Sequence, residues 1–336
     1  MIFSERRLIS SIRDRQDTIS DRLVKGIGDD CAVYRPPPSG PGTLSLITTD
    51  ALVESVHFDL AWHPPYLLGR KALAVNLSDI AAMGGRALHV LLTIGFSGSQ
   101  QVLDQVMAGF QDALQQQQVQ LIGGDTVKNP QGLLLSVTVI GEADQHKVLY
   151  RSGARPGDLV WVSGPLGQAA AGLELCRRQH QEADKGFESL IEAHLDPTPM
   201  TKLGPILAES GMLTAMMDLS DGLATDLAHL CAESGVGAEV EAAKVPLSKE
   251  LLILADKLGC SPLDWALQGG EDYQLLFTSP AQHATSLADY IKEASGSTIY
   301  CLGVITEKSG VRLCSDQQKM DISYRGFDHF VAQQPV

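Results

Sequence analysis

No stretch of this 336-residue sequence concentrates positive charge. Forty acidic residues stand against 26 basic ones, for a formal net charge of −14. With no Lys/Arg cluster to hold a phosphate backbone, nucleic acid is excluded as a partner. Long apolar runs are missing too. None approaches the roughly 20 residues of a membrane-spanning helix, and "MIFSERRLISSIRDR" brings in charge too early for a signal peptide. The six cysteines (31, 176, 231, 260, 301 and 314) are scattered, with no C-x-x-C pair and no metal-ligand spacing to histidine. They read as reduced thiols of a cytoplasmic protein. Three familiar phosphate-binding signatures are absent: G-x-x-x-x-G-K-[ST], a dinucleotide G-x-G-x-x-G, and the protein-kinase catalytic-loop set. No Ser/His/Asp or Cys/His arrangement stands out.

What is present describes a folded chain, with 44% hydrophobic and 20% charged residues. Its length suits two domains of ordinary size. Residues 2–15 read as a short amphipathic helix, and "TLSLITTDAL" as a strand after the breaker-rich loop 35–42. Residues 66–83 read as a helix stopped by Gly84 and Gly85. "ALHVLLTIGF", "VQLIGGDTVK" and "GLLLSVTVIGEA" read as strands, with a helix over "QQVLDQVMAGFQDALQQQQ". The break "RSGARPGD" (151–158) separates these from "LVWVSG", a Gly/Ala-rich helix, and a strand–turn–helix in "LTAMMDLSDGLATDLAHLCAESG". "LQGGEDYQLLF" is a turn into a strand and "STIYCLGVIT" another strand. Strands and helices alternate irregularly without a fixed repeat, giving an α/β or α+β protein with domains at 1–148 and 149–336.

One residue type recurs in one context. Asp29 and Asp30 ("GIGDD"), Asp50 ("LITTD"), Asp125 ("LIGGD"), Asp218 and Asp221 ("MMDLSD"), and Glu271 and Asp272 ("GGEDY") lie at apolar strand ends or beside glycine turns. Each alone reads more readily as a structural turn residue. Together they put carboxylates along a sheet edge, where α/β proteins bind ligands. Asp79 lies near the C-terminal end of its helix, against the macrodipole, which costs about 0.3–1 kcal/mol. Asn76 shares its face. Asp79 is either a metal ligand or a solvated residue, with Lys71 two turns back as an alternative partner. Two such charges 4 Å apart repel by about 4 kcal/mol at an effective dielectric of 20, so a cluster calls for cations. All-oxygen ligands favour Mg²⁺, Mn²⁺ or Ca²⁺, and Mg²⁺ usually shares its shell with substrate phosphates. The glycine-rich turn at 162–172 could hold phosphate at a helix N-terminus or simply allow close packing.

The ordered set "GIGDDCAV", "TTDALVESVHF", "GRKALAVNLSDIAAMGG", "LIGGDT", "RSGARPGD", "MDLSDGLATDL", "GGEDYQLLF" and "GFDHF" resembles the thiamine-monophosphate kinase family along nearly the whole chain. That family shares its ATP-binding fold with aminoimidazole ribonucleotide synthetase. The resemblance implies a homodimer formed through the N-terminal sheet, a C-terminal α/β domain, and nucleotide in the groove between. It implies that Asp30, Thr48, Thr49, Asp50, Asp79, Asp125, Asp218 and Asp221 hold several Mg²⁺ ions on the phosphates. Gly124, Asp125, Arg151 and Ser220 would contact ATP, and His57, Glu271 and Tyr324 the thiamine part. Tyr324 stands where some relatives carry tryptophan, and residues 177–190 match nothing in the pattern. Asp29 would support Asp30, while Cys31 reads as a small core residue. No side chain is expected as acid or base, because a phosphate monoester with a second pKa near 6 is already an ionised nucleophile at neutral pH. The alternatives are another ATP-dependent synthetase of the same superfamily, which the lack of a reactive-cysteine segment disfavours, and a nucleotide or Mg²⁺ sensor without turnover.

Overall fold

The structure, a computed structural model, describes residues 23–25, 28–35, 42–178, 185–315 and 318–327. The helix expected at 2–15, most of the loop 35–42 and the tail "VAQQPV" lie outside the described residues.

The first half is a six-stranded sheet. Its strands are β1 (Leu23–Lys25), β2 (Ala32–Tyr34), β3 (Thr43–Val53), β4 (Arg86–Gly95), β5 (Gln120–Val127) and β6 (Leu134–Asp144), in the order β1-β2-β3-β6-β4-β5. All neighbours are antiparallel except β4 and β5, which are joined through a crossover helix as a parallel pair requires. Buried and less buried residues alternate along β3 and β6, so one face of the sheet carries the core. Helices α1 (Pro65–Ala82) and α2 (Gln100–Gln117) cover that face.

Helix α1 begins with Pro65, whose fixed φ suits the first helical position. It ends where Gly84 turns left-handed (φ +70°), within a residue of the expected bounds. Thirteen of its residues are buried, from Leu68 to Ala82 and around its whole circumference. That pattern marks a helix enclosed on every side. Its outer side meets the second half of the chain, and a Cβ on Gly204 would stand 2.1 Å from the Ala81 carbonyl oxygen. Its contact with α2 is equally close: Cβ atoms on Gly69 and Gly109 would lie 2.0 Å from the Val106 oxygen and 1.8 Å from the Tyr66 oxygen.

The second half holds a seven-stranded sheet of β7 (Asp158–Val162), β8 (Ala215–Asp218), β9 (Gly237–Glu241), β10 (Leu275–Pro280), β11 (Tyr300–Thr306), β12 (Gly310–Ser315) and β13 (Gln318–Asp321). Their order is β13-β12-β9-β11-β7-β10-β8. Its helices are α3 (Gln168–Arg177), α4 (Glu188–Leu195), α5 (Leu203–Glu209), α6 (Leu223–Ser234), α7 (Lys249–Leu258), α8 (Pro262–Gln268) and α9 (Ala284–Ser295). Leu223, Leu227 and Leu230 of α6 pack on one face of the sheet, while Leu203 of α5 and Leu287 and Ile291 of α9 pack with Phe277 on the other. This is the α/β (α+β) architecture that the sequence predicts. Among the described residues no helix is long and apolar enough to cross a membrane.

Two aspartates expected at strand ends lie inside strands. Asp50 is paired with Val137, and β3 runs on to Val53 opposite Leu134; the ladder outlasts the apolar run. In β5 the glycines before Asp125 make no turn. Gly124 (φ +153°) passes so close to β4 that a Cβ would lie 1.8 Å from the Leu92 oxygen, and the register with β4 slips beside it.

Gly109→Ala should overpack the α1–α2 contact and destabilise the protein by about 1–3 kcal/mol. The expected readout is a lower urea midpoint at an unchanged slope; an unchanged midpoint would contradict the close approach.

Candidate functional site

The polar residues of α1 reach out to three different segments. Asn76 takes the Asp50 backbone N–H on its Oδ1 (2.8 Å) and donates its Nδ2 to the Ala72 carbonyl (3.0 Å). Ser78 donates to Asp218 Oδ2 (2.5 Å) across the two halves of the chain. Asp79 accepts the Thr48 hydroxyl (2.5 Å), and Lys71 pairs with Glu271 (2.9 Å). The last distance commits Lys71 to Glu271, so it is not the partner of Asp79.

These contacts bring Asp30, Asp79 and Asp218 together, with one oxygen of each lying within 4.8 Å of the others. At that spacing each pair repels by about 3–4 kcal/mol at an effective dielectric of 20. Burial and the Asp30 charge push Asp218 up to about 8. Burial, followed by the charges of Asp50, Asp218 and Asp30, lifts Asp79 well above the carboxylate range. Arg151 Nη2 meets Asp30 Oδ1 at 2.8 Å, while Asp30 Oδ2 is buried without a hydrogen-bond partner. A buried, orphaned carboxylate oxygen beside two more carboxylates is the donor set of a hard divalent cation, so the residues fit Mg²⁺. Asp29 plays a different part. Its Oδ1 accepts the backbone N–H of Arg151 (3.1 Å) and its Oδ2 lies 3.4 Å from Lys25. Burial and the Asp30 charge raise it to about 6. It anchors the loop that carries Arg151. Cys31 is enclosed in the first core.

Other expected site residues stand around this centre. Thr49 faces the opposite side of β3 from Thr48 and gives its hydroxyl to the Val137 carbonyl (3.0 Å). Asp221 is held through its backbone, its N–H donating to Asp226 Oδ2 (3.0 Å) and its carbonyl accepting from Phe327 (3.0 Å). The carbonyl of Ser220 takes the N–H of Glu271 (2.8 Å). His57 Nδ1 accepts the Val53 N–H (3.0 Å). Tyr324 is 36% exposed, edge-on to His229 at 5.3 Å between ring centroids. Gly124 and Asp125 are exposed on the outer strand β5, three strands from Asp50, or about 14 Å at ordinary strand spacing.

The glycine-rich turn 162–172 is not an open phosphate cradle. The Asp272 carboxylate already accepts N–H groups there, from Gly167 (2.6 Å) and Ala169 (3.2 Å). The glycines serve close packing, since a Cβ on Gly167 would sit 2.7 Å from the Ala266 nitrogen. Three contributors were not singled out from sequence: Ser78, His194 and Asp226. For Asp226 a signal existed, an acidic residue in the first turn of a helix that follows a glycine. Ser78 and His194 carry no local signal, because their partners lie 140 and 77 residues away in the chain.

The AIR synthase related protein N-terminal domain model matches residues 28–143, and the corresponding C-terminal domain model matches residues 155–314. Thiamine-monophosphate kinase from Haemophilus influenzae is 37% identical over 336 residues, 98% of this chain and 99% of that protein. The Escherichia coli (strain K12) enzyme is 36% identical over 333 residues, again 98% and 99%. A solved structure of AaThiL complexed with AMPPCP and TMP aligns with a TM-score of 0.81 and 33% identity, over 95% of this chain and 96% of that one.

The crowded carboxylates give a pH prediction. Between the ordinary 3.8 and about 8 for Asp218, the metal-free fold keeps a proton that the unfolded chain releases, so this group's contribution to stability falls as pH rises. In chelator, Asp218→Asn should therefore gain on wild type steadily from about pH 4 to pH 8, followed by thermal unfolding. Saturating Mg²⁺ should reverse that order at pH 8. A pH-independent difference, or no response to Mg²⁺, would contradict the cation site.

Proposed function

The chain belongs to the thiamine-monophosphate kinase family, and from that premise we propose that it transfers the γ-phosphoryl group of ATP directly to thiamine monophosphate, giving thiamine diphosphate and ADP. The observation that carries this reading is the convergence of Asp30, Asp79 and Asp218, with no Ser/His/Asp or Cys/His arrangement beside it among the described residues. Such a site suits a reaction whose nucleophile is already ionised and whose obstacle is repulsion between two anions. We assign Mg²⁺ to Asp30, Thr48, Thr49, Asp50, Asp79, Asp125, Asp218 and Asp221. When bound, Mg²⁺ neutralises the phosphates and aligns them for in-line transfer.

The chain's own residues hold this arrangement in place. Thr48 and Ser78 orient Asp79 and Asp218, and Asn76 fixes the backbone at Asp50. Arg151, Ser220 and Gly124 are the proposed ATP contacts. His57, Glu271 and Tyr324 are the proposed contacts to the thiamine part. The domain boundary belongs at residues 148/149, between the two sheets, and the protein is assigned to the cytoplasm.

A homodimer completes the proposal. The outer strand β5 and the open sheet face leave Ile47, Leu91, Ile122 and Val127 exposed, which suits pairing with a second copy. With β5 about 14 Å from β3, Gly124 and Asp125 would serve the phosphates of the partner's site.

Incubation with ATP, Mg²⁺ and thiamine monophosphate should yield ADP and thiamine diphosphate in equal amounts, and neither with free thiamine. ADP alone would point to hydrolysis or another acceptor. Asp50→Asn and Asp125→Asn should each lower turnover at least about 100-fold without unfolding the protein. Co-refolding the two variants should restore activity, because a mixed dimer would hold one intact site. Inactivity of the mixture would place both aspartates in the same subunit's site.

A further inference from the structure

Lys71 is fully buried. A buried ammonium loses several kcal/mol of hydration and persists only where a partner compensates. Its Nζ lies 2.9 Å from Glu271 Oε1 and donates to the His194 carbonyl at 3.0 Å. His194 Nδ1 stands 3.0 Å from the other Glu271 oxygen, outside donor alignment. The Trp62 ring covers His194 at 5.5 Å between centroids. Glu271 itself has a left-handed backbone (φ +70°), as does Tyr273 (φ +47°), a conformation uncommon outside glycine. The turn is held in this state from outside. Ser220 and Leu219 carbonyls take the N–H groups of Glu271 and Tyr273 (2.8 and 2.9 Å), and Asp272 is tied to the start of α3. Strain enforced in this way marks functional positions.

The charges at this turn cancel. Burial and the neighbouring Lys71 charge lower His63 to about 3 and push His194 down as well, so both imidazoles are neutral at pH 7. Burial alone would raise Glu271, but the Lys71 charge outweighs it and holds the carboxyl below its usual range. Lys71 and Glu271 therefore form a pair with no net charge, of which only the Glu271 side chain is partly exposed, at 22%. A carboxylate has about four lone-pair positions, and the ammonium occupies one, leaving acceptor capacity on the exposed part of the side chain.

We propose that Lys71 is a positioning residue that makes Glu271 a charge-compensated hydrogen-bond acceptor, which recognises the thiamine part through its exocyclic amino group and not through its cationic thiazolium ring. This deepens the function proposed above and rests on the assignment of Glu271 to substrate. The thiazolium nitrogen is fully substituted and has no N–H to donate, and a neutral pair attracts its charge only weakly. An amino N–H, in contrast, matches a free carboxylate lone pair.

The test uses the wild-type protein and three acceptors: thiamine monophosphate, an analogue with a keto oxygen replacing the pyrimidine amino group, and an analogue with an uncharged ring replacing the thiazolium. The keto analogue should lose at least about tenfold in kcat/KM, as expected for one lost hydrogen bond to a charged group. The uncharged-ring analogue should stay within about threefold of thiamine monophosphate. A larger loss with the uncharged ring than with the keto group would overturn the proposal. In Lys71→Met, KM for thiamine monophosphate should rise while KM for ATP is unchanged. An equal rise in both would reduce Lys71 to a structural role and overturn it as well. The analogue series needs no variant, so it decides the matter even if Lys71→Met does not fold. No turnover with thiamine monophosphate itself would instead sink the function, and this inference with it.

Discussion

Enclosure of α1 on every side is the constraint on which the site depends. A helix with one wet face can leave its polar residues to water, but a buried one must satisfy each of them within the protein. Lys71, Asn76, Ser78 and Asp79 do so at three segments: Lys71 at the turn before β10, Ser78 at β8, and Asn76 and Asp79 both at β3. Those segments supply Glu271, Asp50, Asp218 and Thr48. The helix thus holds the site together by the same bonds that make its own burial tolerable.

The energetic tension lies in charge. Three carboxylates converge with Arg151 beside them, and burial lifts Asp79 and Asp218 out of the ordinary carboxylate range. A lysine-rich clamp would bind phosphate without metal; this chain instead gathers negative charge, which protons or cations must relieve. Its one fully buried lysine, Lys71, faces Glu271 and is neutralised there. The protein therefore separates its two electrostatic tasks. Uncompensated charge is kept where Asp30, Asp79 and Asp218 converge, and a compensated pair where the structure is strained and aromatic.

Helix bounds and costly carboxylates are legible locally in the sequence. The bounds of α1 follow from an apolar run between Pro65 and the Gly84–Gly85 stop, and Asp30, Asp79 and Asp218 stand out because carboxylates are costly in such surroundings. What could not be read depends on contacts between distant segments. Gly123 and Gly124 look like a turn before Asp125, and only the neighbouring β4 shows that they allow close approach within a strand. The turn at 162–172 looks open to phosphate until Asp272, more than 100 residues on, is found bound to it. Lys71 offered itself as a partner for Asp79 because both lie on one helix face. Its real partner is 200 residues away, on a turn whose left-handed backbone nothing in "GGEDY" announces.

The same helix also sets a length. Lys71 and Asp79 are eight residues apart, which at 1.5 Å per residue separates them by about 12 Å along the axis. One end of α1 therefore fixes the Glu271 turn and the other the carboxylate cluster, on a single element that is buried over most of its length. A substrate of two linked rings and an ethyl phosphate has a comparable span. If its ring end meets Glu271 and its phosphate meets the cluster, the spacing between recognition and chemistry is set by helix geometry and not by a loop. Misplacement by even an ångström is costly in phosphoryl transfer, where alignment supplies much of the rate. On that reading, rigidity of this kind offsets the expense of a buried lysine and a strained glutamate about 12 Å along the helix from the carboxylate cluster.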